Sequence, residues 1–176
     1  MLRRRARGQA LERYEKHRRC NLLAKPGVHE FVVVLDRLKA GFNVPKIFRS
    51  AEVFGAHEVH LIDIGPFDPA AAKGALKRVP AHFHSDFESC YQRLVERGYT
   101  LFVLEADAGQ ALWDAELPDK SAFIFGHEEL GVQFDKQHYP EIKALSIPQF
   151  GKTESLNVSV AASVVMYEYV RQQKSL

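Results

Sequence analysis

Two polar residues, Ser155 and Asn157, stand where a strand gives way to a helix in the stretch Ile147–Glu168. Ser146 and Ile147 read as a strand end stopped by Pro148, Gly151 lies in a turn, and helical periodicity begins near Val158. The first N–H groups of a helix have no partner within it, so a side chain there either caps the helix or shares those donors with a bound group. Ser155 fits both readings. Two other apolar runs end in the same manner: Leu101–Leu104 leads into Glu105-Ala106-Asp107, and Ala122–Phe125 into Gly126-His127-Glu128-Glu129. Three consecutive strand exits carrying carboxylates, amides and a hydroxyl suit a ligand crevice, although any α/β protein has polar loops at these ends.

Several chemistries are excluded by spacing. Gly151-Lys152-Thr153 resembles the tail of a phosphate-binding loop, but that loop needs a glycine five residues earlier, where the chain has Ser146. No G-x-G-x-x-G follows the first apolar run, which argues against a dinucleotide site, and no G-x-S-x-G elbow supports a serine hydrolase. His127-Glu128 and the later His138 do not form H-E-x-x-H, and Cys20 and Cys90 lack metal-ligand spacing, so no metal is expected. Two cysteines fit a reducing, cytoplasmic setting better than a disulfide framework.

The elements that must position these residues alternate. Phe31–Leu35 is a continuous apolar run, as expected of a strand covered on both faces. Val44, Ile47, Phe48, Ala51 and Phe54 make a helical stripe closed by Gly55. Apolar runs at Val59–Ile64, Leu101–Leu104, Ala122–Phe125 and Ala144–Ile147 read as strands, 87–97 as a helix stopped by Gly98, and 68–78 as a short helix or loop. Strands alternating with helices predict an α/β fold with a parallel sheet and a ligand at the carboxyl ends of its strands. In the last helix Val158, Ala161, Ala162, Val165, Met166 and Tyr169 form one apolar face, while Val160, Val164 and Tyr167 form a second. A terminal helix with two faces to bury is either wrapped by other elements of its own chain or placed at a subunit interface.

At 176 residues and 46% hydrophobic content the chain is long enough for one domain with a sizeable core. No apolar run reaches membrane-span length, and no h-region follows the basic N-terminus. The net charge of +2 is uneven: residues 1–25 hold nine Lys and Arg against two Glu, a local +7 that leaves −5 on the remainder. Residues 9–23 could form a basic helix broken by Lys25-Pro26-Gly27, either an arm for nucleic-acid phosphates or a solvated tail. The division expected is a basic extension over 1–29 and a domain over 30–176.

Three ordered segments together resemble the SpoU (TrmH-like) branch of the SPOUT superfamily of RNA ribose 2′-O-methyltransferases. Asn43-Val44-Pro45-Lys46-Ile47-Phe48-Arg49-Ser50-Ala51-Glu52-Val53-Phe54-Gly55 is similar to its first motif and Phe125-Gly126-His127-Glu128-Glu129-Leu130-Gly131 to its second. Ile147-Pro148 with Ser155-Leu156-Asn157-Val158-Ser159 is similar to the third. Position 45 is Pro where the family usually has Gly, and position 127 is His where a small or amide residue is usual. The resemblance implies a parallel-sheet SPOUT methyltransferase domain with a C-terminal trefoil knot, active as a homodimer on RNA, tRNA ahead of rRNA. It implies S-adenosylmethionine held among Leu104, Glu105, Ala106, Gly126, Ile147 and Leu156. Catalytic roles fall by resemblance on Asn43, Arg49, Glu128, Ser155 and Asn157, with Arg49 acting at the 2′-hydroxyl and Asn43 orienting it. The rival reading is an RNA-binding protein that keeps the fold without the chemistry, motivated by Pro45 and His127.

Overall fold

The structure, a computed structural model, describes residues 2–153 and 155–173, with side chains from residue 8. Its strands are β1 (Val32–Asp36), β2 (Glu58–Ile62), β3 (Ala81–His84), β4 (Thr100–Leu104), β5 (Ser121–Phe125) and β6 (Lys143–Leu145). They form one sheet in the order β3-β2-β1-β5-β4-β6 with every pairing parallel. The helices are α1 (Leu2–Asn21), α2 (Asn43–Val53), α3 (Phe87–Glu96) and α4 (Val158–Gln173).

The continuous apolar runs are explained by burial on both sides. Along β1, Val33 and Leu35 join a core shared with α1, α2 and α4, while Val32 and Val34 join another under α3. Register carries this alternation into β5, where Phe123 and Phe125 lie opposite Val33 and Leu35, and Ala122 and Ile124 opposite Val32 and Val34. Tyr169 anchors α4 in the first core: its ring is 4.7 Å from Phe31, and its hydroxyl donates to the Asp119 carbonyl at 2.7 Å. Burying each such ring contributes about 1.5–3 kcal/mol. α2 is stopped at Gly55, whose φ of +67° suits glycine and whose N–H donates to the Glu52 carbonyl.

Three features differ from the sequence reading. α4 begins at Val158, so Ser155 lies before the helix and is not its cap; Asn157 caps it, accepting from Ser159 N at 2.9 Å. β6 ends at Leu145, and Ser146 instead bridges to Ala111. β3, with the sequence Ala-His-Phe-His, was not anticipated because an edge strand with half-exposed residues carries no apolar run. The second apolar face of α4 is exposed in the single chain, with Val160 at 48%, Val164 at 37% and Tyr167 at 59%.

α1 is longer than the expected 9–23 helix and is docked onto the body. Tyr14 is buried edge-on against Phe67, and Arg13 pairs with Asp68 at 2.8 Å. The buried Asn21 amide donates to the Leu76 and Val79 carbonyls and accepts from Ala81 N. Among the described residues no helix is long and apolar enough to cross a membrane.

Candidate active site

After β1 the chain builds the sheet in one direction through β2 and β3, and after β3 in the other, so the strand order reverses between β1 and β5. Connections diverge at such a point and leave a crevice beyond the carboxyl ends of the strands. A cavity of about 350 Å³ lies there. Its walls include all six residues expected to hold a cofactor, Leu104, Glu105, Ala106, Gly126, Ile147 and Leu156, together with Glu128, Ser155 and Asn157. Phe125, His127, Gly131, Gln149, Val158 and Ala161 complete the lining without having been singled out as site residues. Most of these are immediate neighbours of residues that were; Gln149 and Ala161 carried no signal of their own.

A chain of side-chain hydrogen bonds ties the three motifs together at the cavity. Asn157 Nδ2 donates to Asn43 Oδ1 at 3.1 Å, and Asn43 Nδ2 donates to Glu128 Oε1 at 2.8 Å. The other carboxylate oxygen of Glu128 accepts from the backbone N–H of Lys39 at 3.1 Å, which brings in the loop after β1. Asn157 Oδ1 meanwhile accepts from the N–H and hydroxyl of Ser159. Both polar atoms of Asn43 are thus engaged, and they hold Glu128 and Asn157 rather than Arg49. Burial pushes the Glu128 carboxyl up, but the bonds from Asn43 and the backbone outweigh it and leave the group below its ordinary value.

The identity of Gly126 is dictated by the chain around it. A Cβ there would come within 2.3 Å of the Gly131 carbonyl carbon and the Val132 nitrogen, so the glycine permits the chain to fold against itself. His127 and Gly131 exchange backbone bonds at 2.9 Å and close this loop, and His127 Nδ1 accepts from Glu129 N. Neither departure from the family pattern disturbs the arrangement. Pro45 lies in the first turn of α2, where its missing N–H is no loss, and its ring is buried.

Arg49 is on the same helix as Asn43 but is exposed and outside the cavity lining. It makes no hydrogen bond or ion pair among the described residues; Glu52, one turn on, pairs with Arg78 at 2.8 Å. Glu105 is held at the rim by Lys136 at 2.7 Å, and Lys39 reaches Glu129 at 2.6 Å. The roles of Lys39 and Lys136 had no motif to reveal them.

A strand-exit cavity threaded by three ordered motifs defines a class, and comparison with known proteins identifies it. The chain belongs to the SpoU rRNA Methylase family, whose model matches residues 30–167. It is thereby an enzyme of the tRNA/rRNA 2′-O-methyltransferase class. It is 29% identical over 150 residues to a tRNA (guanosine(18)-2′-O)-methyltransferase of Thermus thermophilus, covering 82% of this chain and 76% of the relative. It is also 29% identical over 173 residues to a 23S rRNA (guanosine-2′-O-)-methyltransferase of Xylella fastidiosa, covering 96% and 69%. Among solved structures, the SpoU methyltransferase AviRb from Streptomyces viridochromogenes, in complex with AdoMet, superimposes with a TM-score of 0.76 at 25% identity. That match covers 88% of this chain and 62% of AviRb.

Proposed function

We propose that the cavity binds S-adenosylmethionine and that the chain transfers its methyl group to a ribose 2′-hydroxyl of tRNA, with rRNA as the other substrate to assay. The observation that carries this reading is the Asn157–Asn43–Glu128 chain, which joins all three motifs at one cavity. The lining fits the donor. Leu104, Ile147 and Leu156 offer apolar surface for an adenine, and the Glu105 and Glu128 carboxylates offer negative charge to a cationic, amine-bearing end. S-adenosylmethionine supplies a methyl group activated on a sulfonium.

The residues of the chain then have positioning work. Methylation forms an oxygen–carbon bond and releases the hydroxyl proton, so the hydroxyl must be oriented and its proton accepted. A guanidinium is effectively always protonated, which makes Arg49 a poor free base and a good clamp for an RNA phosphate beside the reacting hydroxyl. Without a protein partner among the described residues, its planar donor fork is available for that purpose. Glu128, held ionised by Asn43, fixes the loop after β5, and Asn157 couples that loop to the start of α4. Ser155, exposed at the rim two residues before the Asn157 cap, contributes a hydrogen bond to bound substrate.

Assembly is part of the reading. Val160, Val164 and Tyr167 on α4 are exposed, and the Tyr167 ring lies 6.3 Å from that of Phe54 at the end of α2. A row of this kind is proposed to pack against a second copy, in a C-terminal region that carries the trefoil knot, with Arg49 close to the joint. The basic residues of 1–25 are proposed to contact RNA phosphates from outside the cavity.

Calorimetry with S-adenosylmethionine and a tritium-transfer assay on unmodified tRNA and rRNA test the proposal. Binding of the donor with transfer to ribose is the expected result. Arg49→Ala should abolish transfer while keeping folding and donor binding, and Arg49→Lys should not restore it, because a point charge lacks the planar fork. RNA binding without donor binding would favour the inactive RNA-binding reading instead.

A further inference from the structure

At the sheet edge away from the cavity, three side chains converge that the methyl-transfer reading does not use. Nδ1 of His60 on β2 is 2.9 Å from Nε2 of His84 on β3 and 3.4 Å from Sγ of Cys90 on α3. All three atoms lie within 4.8 Å of one another. His60 and Cys90 are fully buried, while His84 borders a cleft that it shares with His82, Ser89 and Arg93.

We propose that His60 Nδ1, His84 Nε2 and Cys90 Sγ bind a zinc ion, with the fourth position open to water from the cleft. Zinc takes nitrogen at about 2.0–2.1 Å and thiolate sulfur at about 2.3 Å in a tetrahedron, which sets donors about 3.3 Å apart for two nitrogens and about 3.6 Å for nitrogen and sulfur. The observed separations are within a few tenths of these for two of the three pairs. The second layer is also in place. His60 Nε2 faces Glu58 Oε1 at 2.8 Å, so its proton belongs on that side and the Nδ1 lone pair is turned toward the cluster. His84 Nδ1 faces Ser89 Oγ at 3.5 Å, which offers the same arrangement to the second ring. Glu58 is itself fixed by His82 at 3.1 Å and by Arg97.

Two imidazoles and a thiolate are too soft for magnesium or calcium, which take oxygen ligands, and match a borderline ion such as zinc. Binding releases the Cys90 thiol proton to solvent and shifts the His84 proton to Nδ1, so each ion costs one proton. The ion would clamp the edge strand β3 to β2 and α3. Spacing along the chain, on which the expectation of no metal rested, cannot show such a site: parallel pairing and the start of α3 bring together positions 60, 84 and 90.

The test is titration of the chelator-treated full-length protein with cobalt(II), then zinc. One cobalt per chain with thiolate-to-metal charge-transfer absorption, displaced by zinc, is expected. Cys90→Ser should remove that absorption, His84→Gln should weaken binding at least tenfold, and Glu58→Gln should weaken it ~10–100-fold. The exposed Cys20 serves as control, since Cys20→Ser should change nothing. Circular dichroism confirms folding, and if Cys90→Ser fails to fold, His84→Gln at a half-exposed position decides. No charge-transfer band in the parent, a band lost in Cys20→Ser but kept in Cys90→Ser, or binding unaffected by His84→Gln overturns the proposal.

Discussion

Replacing Asn157 with Ala removes two things that the side chain does at once. Its Oδ1 caps α4 through Ser159 N at 2.9 Å and also holds the Ser159 hydroxyl at 2.6 Å. Its Nδ2 supplies the link to Asn43. Loss of an Asn cap costs about 1 kcal/mol, and a hydrogen bond at a partly exposed site adds roughly 0.5 kcal/mol, for a total near 1.5 kcal/mol. For a chain of this length that corresponds to a fall in Tm of about 3–6 °C. Urea unfolding measures the stability, calorimetry the donor affinity, and methyl transfer the site. Asn157→Ser separates the two roles, because a short hydroxyl can still cap the helix but falls short of Asn43. It should recover most of the lost stability while transfer remains impaired. Parent-level transfer by Asn157→Ser would reduce Asn157 to a cap, and an unchanged urea midpoint for Asn157→Ala would refute the cap itself.

Other substitutions test separate parts of the structure. Gly126→Ala should destabilise by about 1–3 kcal/mol in urea and weaken donor binding, because its Cβ meets backbone at 2.3 Å, whereas Gly109→Ala, with nothing within 4 Å, should stay within about 0.5 kcal/mol. Val164→Asp places a carboxylate in the exposed apolar row of α4 and should shift the protein toward monomer in light scattering, with transfer falling in parallel. A depressed Glu128 pKa stabilises the fold above the ordinary carboxyl value, and that contribution is lost as pH falls through the lower native one. The Glu128 carboxyl should therefore be more than half ionised at about pH 4.3 when followed by carbon NMR, and a midpoint at or above that value would contradict the bonds from Asn43 and Lys39.

What sequence discloses about this chain follows from what each position must satisfy. Phe31–Leu35 and Ala122–Phe125 are legible because strands covered on both faces favour apolar side chains, and the two runs supply most of the central strands β1 and β5. The edge strand β3 has no such constraint, and its His82 and His84 interrupt any apolar run. The cavity-lining positions were legible because strand exits adjoin recognisable runs, and the three motifs supplied the order. Contacts made by backbone or by distant charges left no trace of that kind: Lys39 meets Glu128 through its N–H, which every residue except proline possesses. Gly126 was expected among the cofactor-holding residues, and the group that approaches it is the chain itself at Gly131 and Val132; one sequence cannot distinguish such a neighbour from a ligand.

Arg49 shows the same limit from the other side. Glu52 lies one helical turn from Arg49, a spacing whose ion pairs are common on helix surfaces and worth little energetically. The fold gives Glu52 to Arg78, which arrives from the 3-10 segment after α2 and β2, and leaves the guanidinium of Arg49 without a protein acceptor among the described residues. An exposed arginine without a partner is unremarkable by itself. On the helix whose first residue, Asn43, is locked to both Glu128 and Asn157, its backbone position is fixed by the same buried face that holds Val44, Ile47, Phe48 and Ala51. The fork is therefore free while its base is rigid, the combination needed to place a phosphate with little loss of freedom on binding.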